Sequence, residues 1–202
     1  MSSKSRFKHL AAQLVALEAA DTELRAQLAL EGNLGNGYNE KMKILHNQNA
    51  EALEKIIADI GYPTTQKVGE RASKAAWIVI QHSIAKPDFM RSCCGLLQQA
   101  VDAGTANPKD FAYLFDRIAV FEGKPQRYGT QFDWDSEGKL SPNTFDSLNA
   151  VDKRRRNLGL NTLEEQTSAL RQRATFEKQK APEDYIKYKQ QLDNWRKSVG
   201  WT

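Results

Sequence analysis

Two residues of this sequence place side chains that can carry a proton or a charge on otherwise apolar faces of predicted helices. His82 lies three residues after Val79, on a face that the sequence predicts to be buried. Asp116 shares its predicted face with small apolar residues of the same helix. Because an imidazole with an ordinary pKa of about 6.5 suits proton transfer, we interpret His82 and Asp116 as candidate catalytic residues. The alternative for His82 is a hydrogen-bonded structural residue of the core.

Asp21 is a third polar residue on an apolar stripe, in the first predicted helix. Burying a charge without a partner is costly, so this carboxylate needs either a partner or a function. One interpretation is a local ion pair with Arg25, one helical turn further on. The other is functional: either Asp21 or Asp116 orients or tunes His82, and Asp21 contacts a substrate.

Further polar groups suggest contacts to a substrate. Arg117 suits pairing with a carboxylate or phosphate. Residues 126–131 are rich in hydrogen-bonding groups, and Gly129 allows an unusual backbone angle or a close ligand approach. The alternative is a hairpin whose polar groups pair with nearby helix ends. The candidate substrate-binding residues are Arg117, Gln126, Tyr128, Thr130, Gln131, Asp21 and Trp77.

Familiar cofactor motifs are absent from the sequence. It has no glycine-rich loop of the Walker or dinucleotide-binding type and no nucleophile elbow. His9, His46 and His82 lack the spacing of metal ligands, and the adjacent Cys93 and Cys94 suit neither structural zinc nor a mutual disulfide. The sequence therefore predicts no metal and no organic cofactor.

Two classes of function fit these residues. The first is an enzyme that acts on a small polar molecule or peptide by isomerisation, elimination, cyclisation or hydrolysis. It requires His82, Asp116 and either Tyr128 or Gln131 to meet in one pocket. The second is a non-catalytic module that binds a ligand or protein through basic C-terminal helices. There the apolar stripe from Tyr185 to Val199 packs on the body or pairs with a second copy of the chain.

Helical spacing of apolar residues continues along almost the whole chain. The first predicted helix begins at Phe7 and ends at the glycines Gly32, Gly35 and Gly37. Further helices are predicted over 38–60, 70–83, 87–104, 108–123 and 148–158. Two more begin at the Thr162–Glu165 capping box and at Pro182. Alternating residues predict one β-hairpin near 126–141. We therefore expect a mainly α fold of about seven or eight helices, with a helical domain over 1–166 and a basic helical extension over 167–202.

The positive charge of the chain belongs mostly to its C-terminal part. The whole sequence has a net charge of +4, and residues 151–202 carry 12 Lys and Arg against 7 Asp and Glu. Alternating signs there are typical of solvated helices, and the tail aromatics fall on the apolar stripe, so nucleic-acid binding is not expected. Since no apolar run approaches the roughly 20 residues of a membrane span, and the N-terminus does not read as a signal peptide, we expect a cytoplasmic protein.

Several segments together resemble an uncharacterised bacterial family, a domain of unknown function found in small helical proteins. The resemblance rests on Ala75-Ala-Trp77 with Gln81-His82, on Ala112-Tyr-Leu-Phe-Asp-Arg117, and on Gln126-Arg-Tyr-Gly-Thr-Gln131. It covers about residues 10–166. Tyr62 stands where the family often has tryptophan, and the end of the chain is longer. The resemblance implies a helical fold and carries no reaction, cofactor or catalytic residue.

Overall fold

The computed structural model describes residues 7–33 and 37–202. These residues form nine helices and one antiparallel hairpin, which confirms the predicted mainly α fold with a single small hairpin. Gly35, predicted to help end the first helix, and the N-terminal residues 1–6 lie outside the described part. The chain divides into two compact units, Met1–Asp110 and Phe111–Thr202. Within the described residues, no helix has both the length and the apolar character needed to cross a bilayer.

The first unit is built around three helices that pack on one another. These are α1 (Lys8–Leu30), α2 (Glu40–Ile60) and α4 (Glu70–His82). The short α3 (Thr65–Val68) and the longer α5 (Pro87–Asp102) pack on α4. Apolar side chains that are almost completely buried form the core, among them Leu14, Leu28, Leu53, Ile80, Met90 and Leu97.

Local sequence sets the ends of α2 and α4. The side chain of Asn39 accepts hydrogen bonds from the backbone N–H groups of Lys41 and Met42, so it caps the N-terminus of α2. Just after the C-terminus of α4, the buried hydroxyl of Ser83 donates to the carbonyl of Val79 at 2.7 Å. His82 is the last residue of α4.

The second unit combines helices with the hairpin. Its elements are the greater part of α6 (Pro108–Phe121), β1 (Phe132–Trp134), β2 (Leu140–Pro142), α7 (Leu148–Asn157), α8 (Leu163–Phe176) and α9 (Tyr185–Val199). In the hairpin, Asp133 lies opposite Ser141. The predicted capping box opens α8, where Thr162 and Glu165 each bond to the other's backbone.

The C-terminal extension packs against the second unit to which it belongs. Arg171 of α8 donates to the carbonyl of Leu140 in the hairpin at 2.8 Å. Trp195 and the buried Trp201 both lie against the ring of Phe121, with ring centroids 5.6 and 5.0 Å away. A separate function for residues 167–202 stays a prediction.

Candidate metal centre

Three helices of the first unit bring one carboxylate and two imidazoles together. Asp21 comes from α1, His46 from α2 and His82 from the end of α4. Nε2 of His46 lies 3.2 Å from Oδ1 of Asp21, and Nδ1 of His82 lies 2.5 Å from Oδ2. One ligand atom from each of the three residues can be chosen so that all lie within 4.8 Å of one another.

Tyr38 contacts the imidazole of His46 at the ring nitrogen that does not face Asp21. The hydroxyl of Tyr38 lies 2.6 Å from Nδ1 of His46, and the two rings stack with their centroids 5.7 Å apart. Tyr38 stands directly before Asn39, the residue that caps α2. The start of α2 therefore places Tyr38 over His46, eight residues or about two helical turns further along the chain.

Asp21 carries a buried negative charge. Burial by itself would raise its pKa, but hydrogen bonds from His46 and then His82, together with the charges of both, lower the pKa well below its ordinary value. Only 3% of the side chain is exposed, and the ion pairs of the described residues give it no lysine or arginine partner. A cation at the two imidazoles, either an added proton or a metal ion, would compensate this charge.

The surroundings of His82 favour a cation and leave a route to it. The last residues of a helix lie at the negative end of its dipole, which stabilises positive charge. The side chain of His82 is 39% exposed, whereas that of His46 is 8% exposed. A ligand or ion can therefore reach the cluster from the side of His82.

The distances between the donor atoms of the cluster partly fit a bound metal ion. A tetrahedral ion at about 2.0–2.2 Å from its ligands keeps two donor atoms roughly 3.3–3.6 Å apart. The His46–Asp21 distance of 3.2 Å is close to this value. The His82–Asp21 distance of 2.5 Å has to increase, which a rotation of the partly exposed His82 side chain can supply.

The sequence by itself predicts only part of this cluster. It indicates His82 and Asp21 as candidate residues, and the two lie in contact. Asp21 pairs with the two histidines, while the side chain of Arg25 is exposed. His46 is not among the candidates. The signal that could have found it is its position seven residues before the buried Leu53, on the apolar face of α2.

Asp116 has a different environment, within the second unit. Its completely buried carboxylate accepts hydrogen bonds from the backbone N–H groups of Arg127, Tyr128 and Thr130, and from the Thr130 hydroxyl, at 2.7–3.1 Å. Burial raises the pKa of Asp116, and these hydrogen bonds oppose the rise. The carboxylate thus anchors a turn, which explains why residues 126–131 do not extend β1.

Other polar groups fix the same turn. Both ends of the buried Gln126 amide are used, because Nε2 donates to the carbonyls of Gln131 and Asn143 and Oε1 accepts from the Gln131 N–H. The buried guanidinium of Arg155 donates to the carbonyls of Tyr128 and Gly129. In this structure, these groups act as a scaffold for the turn.

The remaining candidate side chains also have defined positions. The ring of Tyr128 meets Phe115 edge-on, and the side-chain amide of Gln131 donates to the hydroxyl of Thr130 at 3.1 Å. Burial lowers the pKa of Arg117, whose buried Nε has no hydrogen-bond partner among the described residues.

Trp77 lies in the first unit, where its Nε1 donates to the carbonyl of Asp110 and the ammonium of Lys74 lies 3.6 Å from the ring centroid. His82 is thus held by residues of the first unit, and Asp116 by residues of the second. That both share one pocket stays a prediction.

Comparisons with known proteins place the chain in a family but add no activity. A search among curated proteins and a search among solved structures each found no match. A family model does match, and it covers residues 8–178. This range includes Asp21, His46 and His82, and it confirms the predicted resemblance to a family of unknown function. The chain belongs to DUF6624, a family of unknown function.

Proposed function

We propose that the chain is a metal-dependent enzyme that hydrolyses a small polar molecule or peptide at an ion held by Asp21, His46 and His82. The observation that carries this proposal is the convergence of a buried carboxylate and two imidazoles from three helices. Catalytic zinc sites and non-haem iron sites use two histidines and one carboxylate as ligands. The buried charge of Asp21, which has only histidines as ion-pair partners among the described residues, supports a cation at this place.

Three protein ligands leave at least one coordination position for water, and the exposed edge of His82 gives access to it. A zinc ion held by Asp21, His46 and His82 would supply hydroxide near neutral pH, because zinc lowers the pKa of its bound water to about 7. Such a site would support hydrolysis at an electrophilic carbon or phosphorus, with the proton released by the water passing to the leaving group.

A second candidate function is supported by the short contact between His82 and Asp21. With Nδ1–H of His82 donating to Oδ2 of Asp21 at 2.5 Å, the other ring nitrogen is left as a base on the exposed side. A carboxylate that orients a histidine in this way is a common arrangement in acid–base catalysis. The protein would then catalyse proton transfer on a small polar molecule without a metal.

Metal removal separates the two candidates. Turnover of p-nitrophenyl acetate, p-nitrophenyl phosphate and chromogenic peptides is measured before chelation, after chelation, and after adding back zinc, manganese or iron(II). Metal dependence predicts that chelation abolishes turnover and that one of the metals restores it. His82→Gln should be inactive under all conditions, whereas His9→Gln, which changes an exposed histidine of α1, should behave as the wild type. Turnover that survives complete chelation contradicts the metal and favours the second candidate.

A further inference from the structure

Tyr38 contacts a residue of the cluster without being a member of it. Its hydroxyl lies 2.6 Å from Nδ1 of His46, the ring nitrogen that faces away from Asp21. Its ring stacks on the imidazole at an interplanar angle of 26°. Two separate contacts, one polar and one between rings, therefore fix the orientation of this imidazole.

The proton of His46 has to change places when Nε2 becomes a metal ligand. In the metal-free protein, Nε2–H donates to Asp21, and Nδ1 can accept a hydrogen bond from the hydroxyl of Tyr38. When Nε2 binds an ion, the proton of the neutral ring lies on Nδ1 instead. A hydroxyl can then accept from Nδ1–H, because it is both a donor and an acceptor.

We infer that Tyr38 is a positioning residue of the metal site, one that holds His46 in the ligand orientation and supports its ring proton in both forms. The inference rests on the proposed function, since it presupposes that His46 binds a metal. Ligating histidines almost always donate their second ring N–H to a nearby acceptor, and removing that acceptor typically weakens metal binding by about 10- to 100-fold.

The test uses the full-length protein and two conservative variants. Tyr38→Phe keeps the ring that stacks on His46 and removes the hydroxyl. Tyr62→Phe is the matched control, because Tyr62 is a buried tyrosine of the same unit that does not contact the cluster in any described interaction. The dissociation constant for zinc is measured by competition with a chromophoric chelator, and the visible spectrum of the cobalt(II)-loaded protein is recorded. Melting temperatures of the metal-free proteins are measured in parallel.

Positioning by Tyr38 predicts that Tyr38→Phe binds zinc about 10- to 100-fold more weakly than the wild type and has an altered cobalt spectrum, whereas Tyr62→Phe retains wild-type values. Wild-type zinc affinity in Tyr38→Phe, with or without a lower melting temperature, overturns the inference and leaves the proposed function standing. A wild-type protein that binds no zinc, cobalt, manganese or iron(II) overturns both.

Discussion

Asp21 and His82 are 61 residues apart in the sequence, yet Oδ2 of Asp21 lies 2.5 Å from Nδ1 of His82. The other oxygen of the same carboxylate faces His46. Each oxygen of Asp21 thus contacts a different imidazole on a different helix. A carboxylate placed in this way can accept one hydrogen bond from each ring, or it can bind a metal ion together with both rings.

Metal uptake should change the distance between Asp21 and His82 more than the distance between Asp21 and His46. A tetrahedral ion requires the first distance to grow from 2.5 Å by about 0.8 Å, while the second is already 3.2 Å. Crystal structures of metal-free and zinc-loaded protein check this. A zinc-loaded structure in which His82 still bonds directly to Asp21 would show that His82 is not a ligand.

Asp116→Asn should destabilise the protein by about 2–3 kcal/mol, because a charged acceptor of backbone hydrogen bonds is lost and the new amide NH₂ faces N–H donors. Urea unfolding at neutral pH measures the change. The control is Asp88→Asn, whose side chain is fully exposed and whose ion pair with Arg91 lies at the surface. Equal stability of the two variants would contradict the anchoring role of Asp116.

Gly129→Ala should destabilise the second unit through both backbone strain and a collision. The residue has φ of +63°, and an added Cβ would lie 2.6 Å from Cδ1 of Leu163. We expect a cost of about 2–4 kcal/mol. Gly138→Ala separates the two effects, because its φ is +72° but its nearest neighbour would be at 3.5 Å. Its cost should be only about 1–2 kcal/mol. If Gly129→Ala and Gly138→Ala lose the same free energy of unfolding, the side chain of Leu163 moves away from the new Cβ and the collision costs nothing.

Removal of residues 168–202 should unfold what remains of the second unit. The truncation takes away Trp195 and Trp201, which pack on Phe121, and Arg171, which bonds to the hairpin. Circular dichroism should therefore lose more helix than the removed residues contain. If the shortened protein loses only that helix and keeps its melting temperature, the extension is independent of the body. This outcome would favour a non-catalytic binding module, in which the basic C-terminal helices bind a partner or a second copy of the chain.

Periodicity predicted the helices closely, since burial of one face is a local property of the sequence. The prediction of a helix over 70–83 corresponds to α4, Glu70–His82, and that over 148–158 to α7, Leu148–Asn157. The four-residue α3 was missed because it is too short to show a period. The alternation from Tyr128 to Trp134 predicts a strand, but the strand begins only at Phe132, because the N–H groups of Tyr128 and Thr130 bond to Asp116 instead.

The candidate site could be predicted only in part, for a physical reason. A helical pattern identifies the face on which Asp21 or His82 lies, but it does not tell which helices pack together. His46 comes from a third helix, 25 residues after Asp21, so no spacing within one helix indicates a set of ligands. Contacts between α1, α2 and α4 are what assemble the three side chains.

The most direct test of the metal centre is the stoichiometry of zinc binding to the purified, chelator-stripped protein, measured by isothermal titration calorimetry. We predict one zinc ion per wild-type chain, with binding lost in Asp21→Asn, His46→Gln and His82→Gln and retained in His9→Gln. Melting temperatures should show that the variants remain folded. Wild-type protein that takes up no zinc, manganese or iron(II), or folded variants of the three ligands that bind as tightly as the wild type, would show that Asp21, His46 and His82 do not form a metal centre.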